Sequence, residues 1–124
     1  MESNDHRPLA ALGHALMTAS AVSAAAKRLE AVGLRAIEVR GDFAVLELRG
    51  GTHIIITTDD SGAICEAPFD LMYDDIDAAH RLFAASGFVV EAVSRARFHD
   101  SFSASAPEGF RVKVNSSHAS GQPV

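Results

Sequence analysis

The sequence predicts an α+β fold made of two βαβββ repeats. These form a curved mixed sheet with its helices on the outer face and a concave pocket inside. Three observations carry that expectation. First, "VSAAAKRLEAVGL" (Val22 to Leu34) matches "IDAAHRLFAASGF" (Ile76 to Phe88) in kind and order. Second, one separation, 54 residues, divides Val22 from Ile76 and Gly33 from Gly87. Third, β-like runs follow each helix and end alike, with Gly51 before "THIIIT" and Gly109 before "FRVKV".

The elements follow in order. An extended run precedes each helix, "LGHALMTA" in the first repeat and "APFDLMYD" in the second. In the helices, apolar residues recur at spacings of three and four, as at Val22, Ala26 and Leu29 or Leu82, Phe83 and Phe88. Ser20 is the expected N-cap of the first helix, and Asp75 and Asp77 begin the second, where carboxylates satisfy free N–H groups. Gly33 and Gly87 end the helices in left-handed conformations. Three strands then follow in each repeat, expected at 35–40, 43–49 and 52–58, and at 89–94, 98–105 and 110–115. The first repeat covers about 9–58 and the second about 67–115 of a single domain, with a polar tail at 116–124. Neither half is long enough to bury a core alone, so the two should pack together.

Composition narrows the function. Of 124 residues 48% are hydrophobic, which a globular core requires and a disordered chain lacks. The net charge of −5 argues against nucleic acid and anionic membranes as partners, since both select basic surfaces. Cys65 is the only cysteine, so neither an internal disulfide nor a cysteine-rich zinc site is expected. His14 interrupts the apolar stretch near the N-terminus, and Glu2 and Asp5 weaken the basic start of a signal peptide. A cytoplasmic protein is the expectation.

A paired βαβββ chain carrying "LGHALMTASAVSAAAKRLEAVGLR", "FDLMYDDIDAAHRLFAASGF" and "APEGFRVKV" resembles the vicinal oxygen chelate superfamily. That group includes glyoxalase, bleomycin-resistance proteins and extradiol dioxygenases. The third stretch is a variant of the family's Asp-Pro-X-Gly-X-X-X-Glu-Leu ending. The resemblance implies a concave pocket and, in the metal enzymes, ligands from the first and last strands of each repeat. Counting along the chain puts those positions at His14, Ile55, Pro68 and Lys113. Only His14 suits a metal. The resemblance therefore implies a dismantled metal site and no cofactor. It also implies a small-molecule binder of the bleomycin-resistance type, expected as a homodimer.

Alternation along strands then proposes the pocket's contents, because residues two apart share a face. The expected ligand-binding set is His14, His53, Asp70, Arg111 and Lys113, walled by Leu16, Ile55 and Met72. Arg111 offers a planar fork of donors for a carboxylate or phosphate, and Lys113 adds a compact cation. The histidines accept, donate or move protons near neutral pH. Ordinary ion pairing of Arg111 and Lys113 with Asp70 and nearby acids stays open. So does a rebuilt site in which His14, His53 and Asp70 bind divalent iron, zinc or manganese in an enzyme. A third possibility is a structural or regulatory dimer with no ligand. Secondary candidates are His99 and Asp100, in "RFHDSF", and His118 after the last strand. No Gly-X-Ser-X-Gly elbow supports a hydrolytic triad there. His80 is expected on the solvated side of its helix.

Overall fold

Short β-branched runs and two alanine-rich amphipathic segments alternate along the chain, and the structure follows them. The computed structural model describes residues 6–97, 99–116 and 123. The elements are β1 (His14–Ala19), α1 (Val22–Ala31), β2 (Arg35–Val39), β3 (Phe43–Glu47), β4 (His53–Thr58), β5 (Cys65–Tyr73), α2 (Ile76–Ala85), β6 (Val89–Val90), β7 (Ser101–Ala106) and β8 (Phe110–Ser116). The α+β, twice-βαβββ expectation holds. The strands form two four-stranded mixed sheets, ordered β1-β4-β3-β2 and β5-β8-β7-β6. β1 lies against β5, so the two sheets adjoin at a seam between the repeats without a ladder across it.

One face of each sheet is buried under its helix. In β4, Ile54 and Ile56 are buried while His53 and Ile55 are only partly covered; in β8, Phe110, Val112 and Val114 are buried. α1 packs on β2 and β3, and α2 on β6, β7 and β8. Both repeats feed one core, in which Leu29, Leu46, Ile54, Ile56, Phe83 and Phe110 are sealed from water. Burying such a side chain contributes about 1.5–3 kcal/mol. The opposite face of both sheets carries no helix.

Three local expectations need correction. Ser20 does not cap α1: Ala21 stands at the N-cap with no side-chain bond, and Ser20 Oγ instead donates to the Glu108 carbonyl across the seam at 2.9 Å. Asp75 does cap α2, accepting from the Ala78 N–H at 3.0 Å. The strand expected at 89–94 stops at Val90. Beyond it the ladder gives way to single links: the Glu91 N–H donates to the Ser103 carbonyl at 3.0 Å, and Ser94 bridges to Ser101. His80 is not simply solvated: it reaches the Glu91 carbonyl at 2.8 Å and meets Phe102 edge-on at 4.9 Å. Gly33 (φ 114°) and Gly87 (φ 87°) end their helices as expected.

Candidate functional site

Strand register turns the open face into rows of side chains. β1 pairs parallel with β4, placing His14 beside His53, Leu16 beside Ile55 and Thr18 beside Thr57. β3 continues the rows antiparallel, with Glu47 beside His53, Val45 beside Ile55 and Phe43 beside Thr57. Arg35 of β2 lies opposite Glu47. One polar row, Arg35–Glu47–His53–His14, therefore crosses all four strands of the first sheet. An apolar row, Val45–Ile55–Leu16, lies next to it.

The polar row is bonded from Arg35 through Glu47 to His53. Arg35 Nε donates to Glu47 Oε1 at 3.1 Å, and the Arg35 Nη2 contact to the same oxygen reinforces it. His53 Nε2 lies 3.0 Å from Glu47 Oε2. The His14 and His53 rings are 6.1 Å apart, centre to centre. Arg35, and after it His53, holds the Glu47 carboxyl below the usual carboxylate range. An ionised carboxylate only accepts, so His53 Nε2–H is the donor in this contact.

The second sheet differs. Asp70 of β5 and Ser103 of β7 flank Lys113 of β8, while Met72 and Ser101 flank Asn115. Asn115 Nδ2 donates to Asp70 Oδ2 at 2.7 Å. The Asn115 side chain is buried, and its Oδ1 has no partner among the described residues. Such an unmet acceptor costs about 1–3 kcal/mol. Arg111 is committed elsewhere: Nη2 donates to Glu91 at 2.6 Å, and Nε lies 3.9 Å from Glu66. Its pairing is therefore with these acids and not with Asp70. Lys113 is exposed and makes no ion pair among the described residues.

The structure thus gathers His14 with His53 on one sheet and Asp70 with Lys113 on the other, with β1 and β5 between them. It does not enclose them. The two clefts described, about 250 and 240 Å³, lie along the seam. The first is lined by Leu34, Leu48, Leu71 and Tyr73, with Arg49 and Asp74 at its rim. The second takes in Leu12, Ala15, Phe69, Asp70 and Met72. Of the expected set, only Asp70 borders either cleft. No group of three histidine, cysteine or carboxylate residues suited to a metal exists among the described residues.

The secondary candidates separate. Asp100 accepts from Arg95, which also binds Asp77, and its backbone N–H donates to Ser116 Oγ at 2.9 Å. His99 precedes β7. His118 lies outside the described residues.

Counting placed the last-strand metal position of the first repeat at Ile55. The register puts Ile55 beside Leu16 and His53 beside His14, and Arg111 is the repeat counterpart of His53. Sequence reasoning missed Arg35, Glu47, Asn115 and the serines of "SFSASA". The alternation of Ser101, Ser103 and Ser105 was the available signal for the last of these.

Solved structures resemble this arrangement over most of its length. A possible glyoxalase from Bacillus cereus is 24% identical, with a TM-score of 0.66, covering 84% of this chain and 96% of its own. Lactoylglutathione lyase from Agrobacterium tumefaciens is 19% identical, TM-score 0.69, covering 94% and 100%. The bleomycin-binding protein of Streptomyces verticillus, solved with copper(II)-bleomycin, is 19% identical, TM-score 0.68, covering 89% and 99%. The fold is that of the glyoxalase, bleomycin-resistance and dioxygenase superfamily. At this identity the likeness is one of fold. No family model matches the sequence, and no curated protein matches it significantly. No helix among the described residues is long and apolar enough to cross a membrane.

Proposed function

We propose that the chain binds a small polar or anionic organic molecule on its open face, between the His14–His53 pair and the Asp70–Lys113 pair. The observation that carries this is Lys113, an exposed cation with no ion pair among the described residues, beside a carboxylate held in place by Asn115. Arg111, on the neighbouring open-face position of the same strand, is by contrast spent on Glu91 and Glu66. The bleomycin-binding neighbour, solved with its copper(II)-bleomycin, supports a ligand role for this fold.

The metal of the superfamily's enzymes does not fit these residues. His14 and His53 supply two donors, but their repeat counterparts are Pro68, which has no donor atom, and Arg111, which never offers a lone pair. Asp70 is bound by Asn115. No catalytic step through a metal follows. A homodimer belongs to the same proposal, with sedimentation as its measurement.

A thermal-shift screen of small carboxylates and phosphates tests the binding role, since a ligand of the folded state raises apparent stability. Lys113→Gln should remove the shift, while Arg111→Gln should weaken it less. A shift that survives Lys113→Gln in full would place the ligand elsewhere. Metal analysis of protein purified without chelator tests the second point: stoichiometric iron, zinc or manganese would overturn it.

A further inference from the structure

We infer that the ligand is a hydroxy or amino acid with a hydrophobic side chain: a carboxylate next to a hydrogen-bond donor, attached to an apolar body. This rests on the open face being the binding site, and it comes from the contrast between the face's two halves. Around the middle of the first sheet the open face is apolar: Leu16 is 61% exposed, in one row with Ile55 and Val45. In the second sheet the repeat-equivalent positions are Asp70, Lys113 and Ser103, paired side by side, with Ser101 and Ser105 on either side. A molecule lying across β1 and β5 meets hydrocarbon at one end and hydrogen-bonding groups at the other.

The polar half is specific about its partner. A plain anion would meet Lys113 but also the Asp70 carboxylate, and a plain cation would suffer the reverse. A head that carries both an acceptor and a donor satisfies both residues. Lys113 and Ser103 Oγ–H face the carboxylate. Asp70 faces the donor, because Oδ2 is occupied by Asn115 and Oδ1 takes no hydrogen bond from the described residues. Asp70 and Lys113 stand on neighbouring strands, about 4.8 Å apart. That spacing lets the two adjacent groups of one small head engage them together.

Asn115 is the independent sign that Asp70 is held for a purpose. It is 4% exposed and leaves an acceptor unmet, where an apolar residue of similar size would leave none. Its counterpart in the first repeat, Thr57, is exposed and faces no carboxylate in β1. A buried amide that is costly by local rules yet orients one carboxylate marks a functional position.

The test is an NMR titration of the full isotope-labelled chain with 3-phenyllactate and phenylalanine. The controls are 3-phenylpropionate (no donor), lactate (no apolar body) and 3-phenylpropane-1,2-diol (no carboxylate). The hydroxy or amino acid should bind about tenfold more tightly than each control, with shifts at Leu16, Ile55, Ser103 and Lys113. The two arms decide which donor, hydroxyl or ammonium, the site prefers. Lys113→Gln should weaken 3-phenyllactate about fivefold and leave the diol unchanged. Asp70→Asn should erase the preference over 3-phenylpropionate, with circular dichroism confirming the fold. If the controls bind as tightly with shifts on the same residues, the ligand class is wrong and the open-face site stands. If shifts fall instead on Leu34, Leu71 and Tyr73, or none appear, the open-face reading fails and this inference fails with it.

Discussion

The two ends of the seam between the repeats are built from equivalent positions, yet one is sealed and the other is open. At the sealed end Arg28 of α1 reaches over, binding Glu108 through Nε at 2.6 Å and Nη2 at 2.9 Å, and donating from Nη1 to the Ser86 carbonyl at 2.7 Å. Ser20 takes the Glu108 carbonyl with both its N–H and its hydroxyl. Met17, Ala19, Phe88 and Ala106 are buried there, and a Cβ on Gly87 would come within 2.5 Å of Arg28 Nη1. At the open end Leu82 stands where Arg28 does, and Asp74 where Ser20 does. Arg49 and Asp74 pair at 3.1 Å in water, each about 70% exposed, at 70% and 72%. The cleft of about 250 Å³ remains beside them.

The difference is one of where charge is placed. Glu108 is 7% exposed, so its partner is obligatory, and the pair locks the end that contains it. Glu108 in turn keeps Arg28 firmly protonated. The Arg49–Asp74 pair is solvated and therefore weak. The open end relies instead on Tyr73, whose hydroxyl donates to the Val32 carbonyl at 2.7 Å while its ring meets Phe83 edge-on. Stability is thus concentrated at one end of the seam, and opening motions should begin at the other.

The strongest way to break this contrast is Arg28→Met. It strands the buried Glu108 carboxylate and unpairs the Ser86 carbonyl, and should cost about 2–3 kcal/mol in urea unfolding. The double variant Arg28→Met, Glu108→Leu should recover a large part of that. A loss below about 0.5 kcal/mol for the single variant would mean that this end is not the sealed one.

Tyr73→Phe probes the open end, and should cost about 1 kcal/mol by leaving the Val32 carbonyl unpaired. Burial pushes the Tyr73 hydroxyl up to about 12, against about 10 in the unfolded chain. The folded state therefore binds this proton more tightly. Its contribution is complete below about pH 10 and falls as the pH climbs from about 10 to about 12. Tyr73 is the only tyrosine and the chain has no tryptophan, so tyrosinate absorbance reports this group alone. Titration near 10 in the folded protein would contradict the buried hydroxyl.

These features also show which parts of the molecule a sequence can reveal. The helices, Gly33, Gly87 and the Asp75 cap were legible because each rests on residues within a few positions of one another. So was the shared face of His53 and Ile55, through alternation. Ser20 was misread because its best partner, the Glu108 carbonyl, is 88 residues away. Register is likewise non-local: only the β1–β4 ladder shows that His53 stands beside His14 and Ile55 beside Leu16. The commitment of Arg111 to Glu91 and Glu66, and of Asn115 to Asp70, depends on strands brought together by the whole fold.

The repeats differ in their helix caps as well, and this gives a smaller, signed test. Asp75→Ala should lower stability by about 1 kcal/mol, whereas Ala21→Asp should raise it by about 0.5 kcal/mol. Ala21 already has the extended backbone of an N-cap (φ −135°, ψ 94°), and α1 has no acidic residue in its first turn. Loss of stability in both variants would show that residue 21 is limited by packing and not by capping.

The smallest effect belongs to the exposed ion pair. Asp74 and Arg49 bond each other, and Arg49 holds the Asp74 carboxyl below its usual range. That shift favours the folded state above the ordinary carboxylate range and is lost as the pH falls through it. Both side chains are mostly in water, so salt screens the attraction and ordering two long side chains offsets much of it. Arg49→Gln should therefore leave the unfolding midpoint unchanged within error, and added salt should act alike on variant and parent. Arg28→Met should remain destabilising at the same salt concentrations, because Glu108 is shielded from the ions that screen Asp74. A salt-sensitive Arg28 variant together with a costly Arg49 variant would reverse the assignment of the two ends.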